Sequence, residues 1–461
     1  MEPLKIKEIV EATEGKLISG NEDFKITELT TDSRTIQQGM FFIPLKGEKF
    51  DGHNFIGKAF EDGAVGCVTE RDTPIKNNGK CIIKVENTLK ALQNIARYYR
   101  EKFDIPFISV TGSVGKTSTK DMIACILEQK YQVLKTLGNF NNEIGLPLTV
   151  FRLSNAHGIA ITEMGMSGFG EISRLVSIVK PECAVVTNIG LSHIEKLGSQ
   201  QNILKAKMEV FEAFDEKGLA ILNGDDSMLF ALKDRIPFRV IFFGIHNEQN
   251  TLKAYNICSS EEYGSKFDIK IGDNTYTVTI PAIGEHNIYN ALAAIAVGLE
   301  YNIKVNDIIR GIAQFKADKM RMDIFESKGI KVVNDCYNAS PASMEAALKV
   351  LSQLKNTGKK IAILGDMLEM GDWAYEAHKK VGSEVVKNSI DYLMTMGYNG
   401  KYIALGAVQA GMPKEMVCSF ETNDELKEFI SSFLKSGDAV LVKASRGMRF
   451  ETITEYIREV K

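Results

Sequence analysis

The sequence contains no hydrophobic run near the length of a membrane span. The longest candidate, 288–299, is short and carries Asn290, whereas a helix needs about 20 apolar residues to cross a bilayer. The opening residues, Met1-Glu-Pro-Leu-Lys-Ile-Lys-Glu8, lack the apolar core of a secretory signal. Cysteine is sparse, with seven residues at 67, 81, 125, 183, 258, 336 and 418, no Cys-x-x-Cys pair and no zinc-ligand spacing. That pattern argues against a disulfide framework or a zinc ribbon and fits a reducing compartment. Cys125 and Cys183, inside apolar runs, read as small buried hydrophobes. A basic excess is missing too: the net charge is -3, which argues against nucleic acid as the main partner. There is no internal repeat and no low-complexity segment. The expectation is a cytoplasmic protein with no nucleic-acid partner and no stable membrane insertion.

What is present is a globular composition, 44% apolar and 25% charged, over 461 residues. That length suits about three domains, and the fold class expected is α/β throughout. Residues 1–100 read as a small α/β unit, with an amphipathic helix over 6–13 and a strand over 39–45. Its polar turns, Asp32-Ser33-Arg34 and Asp51-Gly52-His53, either hold a ligand or are ordinary turn chemistry. From 101 to 318, apolar strands at 105–111, 158–162, 183–187, 219–222 and 240–243 alternate with helical patterns. Such alternation predicts a parallel sheet covered on both faces. The third block, 319–461, restarts it with strands at 330–334, 360–364, 392–396, 402–405 and 439–442 and helices at 342–354 and 425–434. Ligands on such sheets sit at the carboxyl ends of the strands. Two adjacent α/β units therefore predict a cleft suited to joining two substrates.

The clearest chemical signal is Thr111-Gly112-Ser113-Val114-Gly115-Lys116-Thr117-Ser118. It lies between an apolar strand and a helical pattern whose Thr119, Met122, Ile123, Ile126 and Leu127 share one face. Strand, glycine turn, Lys-Thr, helix is the arrangement that cradles a polyphosphate. Backbone N–H groups and the positive helix end receive the anion, Lys116 reaches the outer phosphates, and the Thr117 hydroxyl sits on Mg²⁺. The loop is a short variant, because Val110 stands where the usual P-loop has glycine. The site is a nucleotide site.

Other polar residues fall at strand ends. Glu163 follows an apolar strand and would complete the Mg²⁺ ligation begun by Thr117, or else makes a cap or ion pair. His193, on the loop after the next strand, would ligate a second metal or is simply solvated. Lys205-Ala-Lys207-Met-Glu209, in a helix expected over 200–214, reads from its pattern as a charged face. Asp335 and Asp366 default to turn or cap residues.

Taken together and in order, Thr111–Thr117, Gly138-Asn-Phe-Asn-Asn-Glu-Ile-Gly145, Glu163-Met-Gly165, the loop 188–193 and His286-Asn-Ile-Tyr-Asn290 resemble the ATP-dependent Mur ligases of peptidoglycan synthesis. The resemblance spans the chain. Three further stretches, 205–211, 334–344 and 364–371, resemble the branch that adds D-alanyl-D-alanine to UDP-N-acetylmuramoyl-tripeptide. The resemblance implies three domains: a UDP-sugar-binding unit at 1–100, a central P-loop ATPase at 101–318 and a Rossmann-like ligase unit at 319–461. It implies ATP and Mg²⁺ as cofactors, a single working chain, and an acyl-phosphate route to the amide. By match of motif, ATP would meet Gly112–Ser118, Asn287, Asn290, Arg321 and Asp335. Metal would meet Thr117, Glu163, His193 and a carbamylated Lys207, with Lys205 the neighbouring alternative. Lys116, Glu163, His193 and Lys207 would serve catalysis. Substrate would meet Ser33, Arg34, Asp51, His53, Asn139, Asn142, Tyr337, Asn338, Lys443 and Ser445. The family's Pro-Gly-Arg before the third domain appears here as Lys319-Met-Arg321, which keeps only the arginine. A Mur ligase that adds the third amino acid is the nearest alternative, but its Asp-Asn-Pro-Arg motif is absent. A P-loop switch or motor is more remote, since the Asn-Lys-x-Asp guanine motif is also absent.

Overall fold

Apolar runs become strands and amphipathic runs become helices in the computed structural model, which describes residues 1–72, 79–261 and 264–459, and they gather around three main sheets. The first sheet has five strands, in the spatial order Lys16–Ser19, Cys81–Lys84, Gly66–Thr69, Phe41–Phe42, Leu29–Thr30. The expected strand over 39–45 contributes only Phe41–Phe42 to the ladder. Ile43 still donates to Thr30 O, but Pro44 has no N–H to continue. The amphipathic helix Thr88–Arg100 ties this unit to the next. Buried Tyr99 Oη donates to Leu153 O at 2.7 Å, and Arg97 and Arg100 each donate through Nε at 2.8 Å to the carbonyls of Ser177 and Val179.

The second sheet has nine strands. Six of them, from Val133–Lys135 at one edge to Arg239–Gly244, are parallel. Strands such as Phe107–Thr111, Ile159–Glu163 and Leu219–Asn223 are buried along their whole length. The sheet is not parallel throughout, as the sequence had suggested. Leu252–Ser260 joins in parallel, and Gly264–Ile271 and Asn274–Ile280 then run antiparallel as a meander. The third sheet has six strands, parallel except for the edge strand Asp323–Ser327.

Two further expectations are corrected. The run 402–405, expected as a strand, lies inside the helix Gly400–Gln409, where Ile403, Gly406 and Ala407 form a buried face. That helix packs backbone to backbone on Ala374–Lys387. A Cβ on Gly382 would lie 2.1 Å from Ile403 O, and one on Gly406 2.1 Å from Lys379 O. The edge strand is instead Val417–Phe420. The helix expected over 200–214 is α-helical only as Gln200–Met208 and tightens into a 3₁₀ turn at Glu209–Phe211. There Glu209 turns to cap a neighbouring helix, accepting from Gly170 N–H at 2.8 Å and Ser173 N–H at 3.1 Å. No helix among the described residues is long and apolar enough to cross a membrane.

Candidate active site

The glycine turn leaves the buried strand Phe107–Thr111 and enters the helix Lys116–Leu127. Glycine is required twice. Gly112 has φ +146° and a Cβ there would sit 1.9 Å from Thr187 Oγ1; Gly115 has φ +85° and a Cβ there would sit 2.7 Å from Asn290 Oδ1. Asn188 braces the turn. Its carbonyl accepts from Ser113 N–H at 3.1 Å, and its Oδ1 from Val114 N–H at 3.0 Å. Two N–H groups expected on phosphate are thus engaged within the protein. The first N–H groups of the helix, which have no intrahelical acceptor, remain for an anion. Lys116 Nζ folds back to donate to Gly112 O at 2.8 Å. Burial pulls its pKa down, while nearby Glu163 opposes that shift.

Glu163 is buried at the end of its strand. Its Oε2 accepts from Thr117 Oγ1 at 2.9 Å, and its Oε1 from Asn141 Nδ2 at 2.8 Å. Its own N–H donates to Thr136 Oγ1 at 3.1 Å, and Lys120, buried behind, donates to Thr136 O at 2.9 Å. A hydroxyl and a carboxylate side by side fit a cation that takes few protein ligands and completes its shell with phosphate oxygens and water. Among the described residues no three His, Cys, Asp or Glu side chains gather into a self-sufficient metal cage. Asn141, the partner of Glu163, was missed in the sequence. It is the middle asparagine of the quoted Gly138–Gly145 motif, whose flanking Asn139 and Asn142 had been singled out. Asn142 Oδ1 accepts from Gly145 N–H at 2.8 Å, at the start of the helix Gly145–Val150.

These groups line a cavity of about 880 Å³ between the second and third sheets' units. The phosphate loop, Asn139, Asn142, Glu163, His193, Asn287 and Asn290 face it from one side, and Arg321, Asp335, Tyr337, Asn338, Lys443 and Ser445 from the other. Arg321 stacks its guanidinium 3.8 Å above the Tyr337 ring. Lys443 is buried, pairing with Asp335 Oδ2 at 2.5 Å and donating to Asn338 O at 2.9 Å. Asp335 also accepts from Met322 N–H at 3.1 Å, which anchors the altered Lys319-Met320-Arg321 segment. Asn290 Oδ1 accepts from Thr119 Oγ1 at 3.0 Å, and Asn287 Nδ2 donates to Ile283 O at 3.0 Å. The sequence reading also left out Asn223, Phe243 and Phe315 of this wall, and gave no site role to His286 and Tyr289 although the motif His286–Asn290 contains them; no glycine turn or strand-end charge marks most of them.

Lys205 and Lys207 separate cleanly. Lys205 is exposed, its Nζ 5.8 Å from the Phe169 ring, so the charged-face reading holds for it. Lys207 is 2% exposed, and burial, reinforced by the Lys116 cation, drives its pKa well below the ordinary lysine value. His193 caps the short helix Ile194–Leu197 at φ 66°. Its Nδ1 stands 2.5 Å from Glu369 Oε2 of the third unit, a contact not aligned as a hydrogen bond. That contact is the largest cause holding the Glu369 carboxyl below its usual pKa range.

Ser33, Arg34, Asp51 and His53 stand apart from this cavity. Asp32 binds the Arg34 guanidinium through both oxygens, at 2.9 and 2.7 Å. His53 is buried, and both ring nitrogens are occupied. Nε2 accepts from Glu70 N–H at 3.1 Å, which leaves Nδ1–H to donate to Asp51 at 2.7 Å. In the structure His53 is a strut under the Asp51 turn. Asp51 Oδ2 in turn holds Arg71 at 2.8 Å.

A phosphate loop with a Thr–Glu pair beside it, facing a second α/β unit, does not by itself name a family, and comparison with known proteins does. Three family models match: Mur ligase family, catalytic domain, at 25–100; Mur ligase middle domain at 110–298; and Mur ligase, glutamate ligase domain, at 320–446. The chain belongs to the Mur ligase family. It is 40% identical over 98% of both chains to the UDP-N-acetylmuramoyl-tripeptide–D-alanyl-D-alanine ligase of Bacillus subtilis. It is 32% identical, over 95% of both chains, to the enzyme of that name in Escherichia coli. Among solved structures it resembles MurF from Acinetobacter baumannii, with 30% identity, a TM-score of 0.91 and coverage of 100% of this chain and 99% of that one. It also resembles MurF from Thermotoga maritima in complex with ADP, at 28% identity and TM-score 0.82, covering 94% and 97%. Within the Mur ligase family the matched segments follow the three sheets in chain order.

Proposed function

We propose that this chain joins D-alanyl-D-alanine to UDP-N-acetylmuramoyl-tripeptide, with ATP converted to ADP and phosphate, in the assembly of the peptidoglycan precursor. The observation that carries the reading is the shared cavity, with a phosphate loop and a Thr117–Glu163 pair on one wall and Arg321, Tyr337 and Asn338 on the other. The units 1–100, 101–318 and 319–461 then hold the sugar nucleotide, ATP and the incoming amine respectively. In this reading the reaction runs in the cytoplasm and a single chain carries it out.

A carboxylate resists attack by an amine because oxide is a poor leaving group. One carboxylate oxygen of the tripeptide therefore attacks the γ-phosphorus of ATP, ADP departs, and an acyl phosphate forms. This step is mainly positioning and charge neutralisation. Lys116 leaves its two carbonyls for the transferring phosphoryl group, and the helix N–H groups hold the remainder. Mg²⁺, held by Thr117 and Glu163, would supply further neutralisation of the phosphate oxygens. The unprotonated amine of D-alanyl-D-alanine attacks the acyl carbon, the nitrogen loses a proton, and phosphate leaves carrying the original carboxylate oxygen and takes up a proton as hydrogen phosphate. Arg321, stacked on Tyr337, is placed to hold negative charge from the third unit. Closure of the third unit over the cavity would keep water from the acyl phosphate. Ser33, Arg34 and the Asp51 turn would receive the uridine diphosphate end.

Lys207 is given a carbamate in this reading. Burial pulls the Lys207 pKa down, which favours the unprotonated amine that adds CO₂; the adduct loses a proton and becomes a carboxylate-like ligand. Carbon-13 bicarbonate should produce a carbamate resonance that K207A lacks and K205A retains; the reverse would assign Lys205, and no resonance would remove the modification.

The assay for the whole reading is phosphate release from ATP with different acceptors. Release should require UDP-N-acetylmuramoyl-tripeptide and D-alanyl-D-alanine together. Release with the UDP-linked dipeptide and a diamino acid would move the chain to the neighbouring ligase. Release with no acceptor would favour a switch or motor.

A further inference from the structure

The stretch Leu364-Gly-Asp-Met-Leu-Glu-Met-Gly371 has no part in the chemistry above, yet it carries the third unit onto the central one. Three hydrogen bonds shape the loop. Ser445 N–H donates to Asp366 O at 3.0 Å, Leu368 N–H to Ser445 Oγ at 2.9 Å, and Met367 N–H to His378 Nε2 at 2.9 Å. At its tip, Glu369 O accepts from Glu195 N–H at 3.3 Å, and a Cβ on Gly371 would lie 3.2 Å from Glu195. Glu369 Oε2 then stands 2.5 Å from His193 Nδ1.

His193 is unusual in two ways. It holds φ 66° without being glycine, a conformation that persists where the surroundings impose it. Its Nδ1 is buried and makes no aligned hydrogen bond, and Glu369 Oε2, 2.5 Å away, is placed to fix the ring. Two lone pairs facing each other at 2.5 Å repel, so the contact favours a proton on Nδ1, directed at the carboxylate once the pair is aligned. A proton on Nδ1 leaves the lone pair of the neutral ring on Nε2. A carboxylate behind a ligating imidazole fixes both ring angle and tautomer in this way.

We infer that Glu369 is a positioning residue for the reaction, reaching across from the third unit to hold His193 with its Nε2 lone pair free for a cation. The inference rests on the reading of His193 as a metal ligand. Its consequence is that docking of the third unit and completion of the metal site are one event. An enzyme with the units apart holds nucleotide but binds the cation at His193 weakly.

The test is Mn²⁺ affinity, read by electron paramagnetic resonance with a non-hydrolysable ATP analogue and the UDP-linked tripeptide present. The proteins compared are the full chain, H193Q, E369A, E369Q and the H193Q/E369A double variant, each checked for folding by thermal melting. H193Q should weaken Mn²⁺ binding, and E369A should weaken it about 10- to 100-fold. The double variant should bind no more weakly than H193Q alone. E369Q, which keeps an acceptor oxygen, should fall between wild type and E369A, and carries the comparison if E369A does not fold. Wild-type affinity in E369A, with H193Q impaired, would overturn the inference and leave the ligand reading intact. Additive losses in the double variant would overturn it too, because Glu369 would then act elsewhere. Wild-type affinity in H193Q would overturn the ligand reading itself.

Discussion

The ammonium of Lys116 rests on the carbonyls of its own turn at 2.8 and 3.5 Å, so phosphate exchanges one set of acceptors for another without moving the backbone. K116A should therefore fold normally and lose about 10²- to 10³-fold in kcat, the scale of removing one charge-stabilising donor from a closed site. Steady-state rates beside a melting curve check both halves. His286 makes a second prediction. Burial lowers its pKa from 6.5 to about 4, with Asp335 opposing and Lys443 assisting the shift. The folded protein thus refuses a proton that the unfolded chain accepts, and stability is lost as pH falls from about 6.5 to 4. The contribution is at most about 3 kcal/mol, reduced by the contact of the ring with the cavity. Denaturant unfolding at pH 7.5 and 5 should show a smaller difference in H286Q than in the parent; equal differences would contradict it.

At the scale of elements, the phosphate turn is fixed by its neighbours as much as by its own residues. Gly115 abuts Asn290 of the helix Glu285–Glu300 and holds φ +85°. G115A should cost about 1–3 kcal/mol from backbone strain alone and weaken nucleotide binding as well. Adding N290A should recover part of the clash but not the strain, which unfolding free energies of the single and double variants would separate. This element also shows what was legible in the sequence. Strand, glycine turn and helix were readable because each leaves a local pattern: an apolar run, two glycines and a three-to-four spacing. Bracing by Asn188 and Asn141 was not, because an asparagine at a strand end looks the same whether it meets solvent, ligand or a neighbouring loop. The run 402–405 failed for a related reason. Four consecutive apolar or aromatic-containing residues have no period of their own, and only the glycine contacts with Ala374–Lys387 make them helical. Lys207 differed from Lys205 by nothing in composition; it shares the buried face of Gln200–Met208 with Ile203 and Ala206, and Lys205 lies off that face.

At the scale of the whole molecule, the site exists where two α/β units meet, and the first unit is locked to the central one by Thr88–Arg100. In the proposed reaction, that architecture puts phosphate chemistry and amine delivery on opposite walls of one cavity. Arg321 is placed by its stack on Tyr337, so R321A should slow phosphoryl transfer while leaving the melting temperature near the parent's, as single-turnover ADP formation would reveal. The family, the three-sheet order and the nucleotide loop were all legible as ordered motifs. The antiparallel extension of the central sheet was not, since no site motif falls within it. The most direct measurement of the central claim is a single turnover with oxygen-18 in the terminal carboxylate of UDP-N-acetylmuramoyl-tripeptide, with D-alanyl-D-alanine and ATP, read by mass. The account predicts the UDP-linked pentapeptide together with phosphate carrying one heavy oxygen. Unlabelled phosphate, or phosphate formed without pentapeptide, would contradict it.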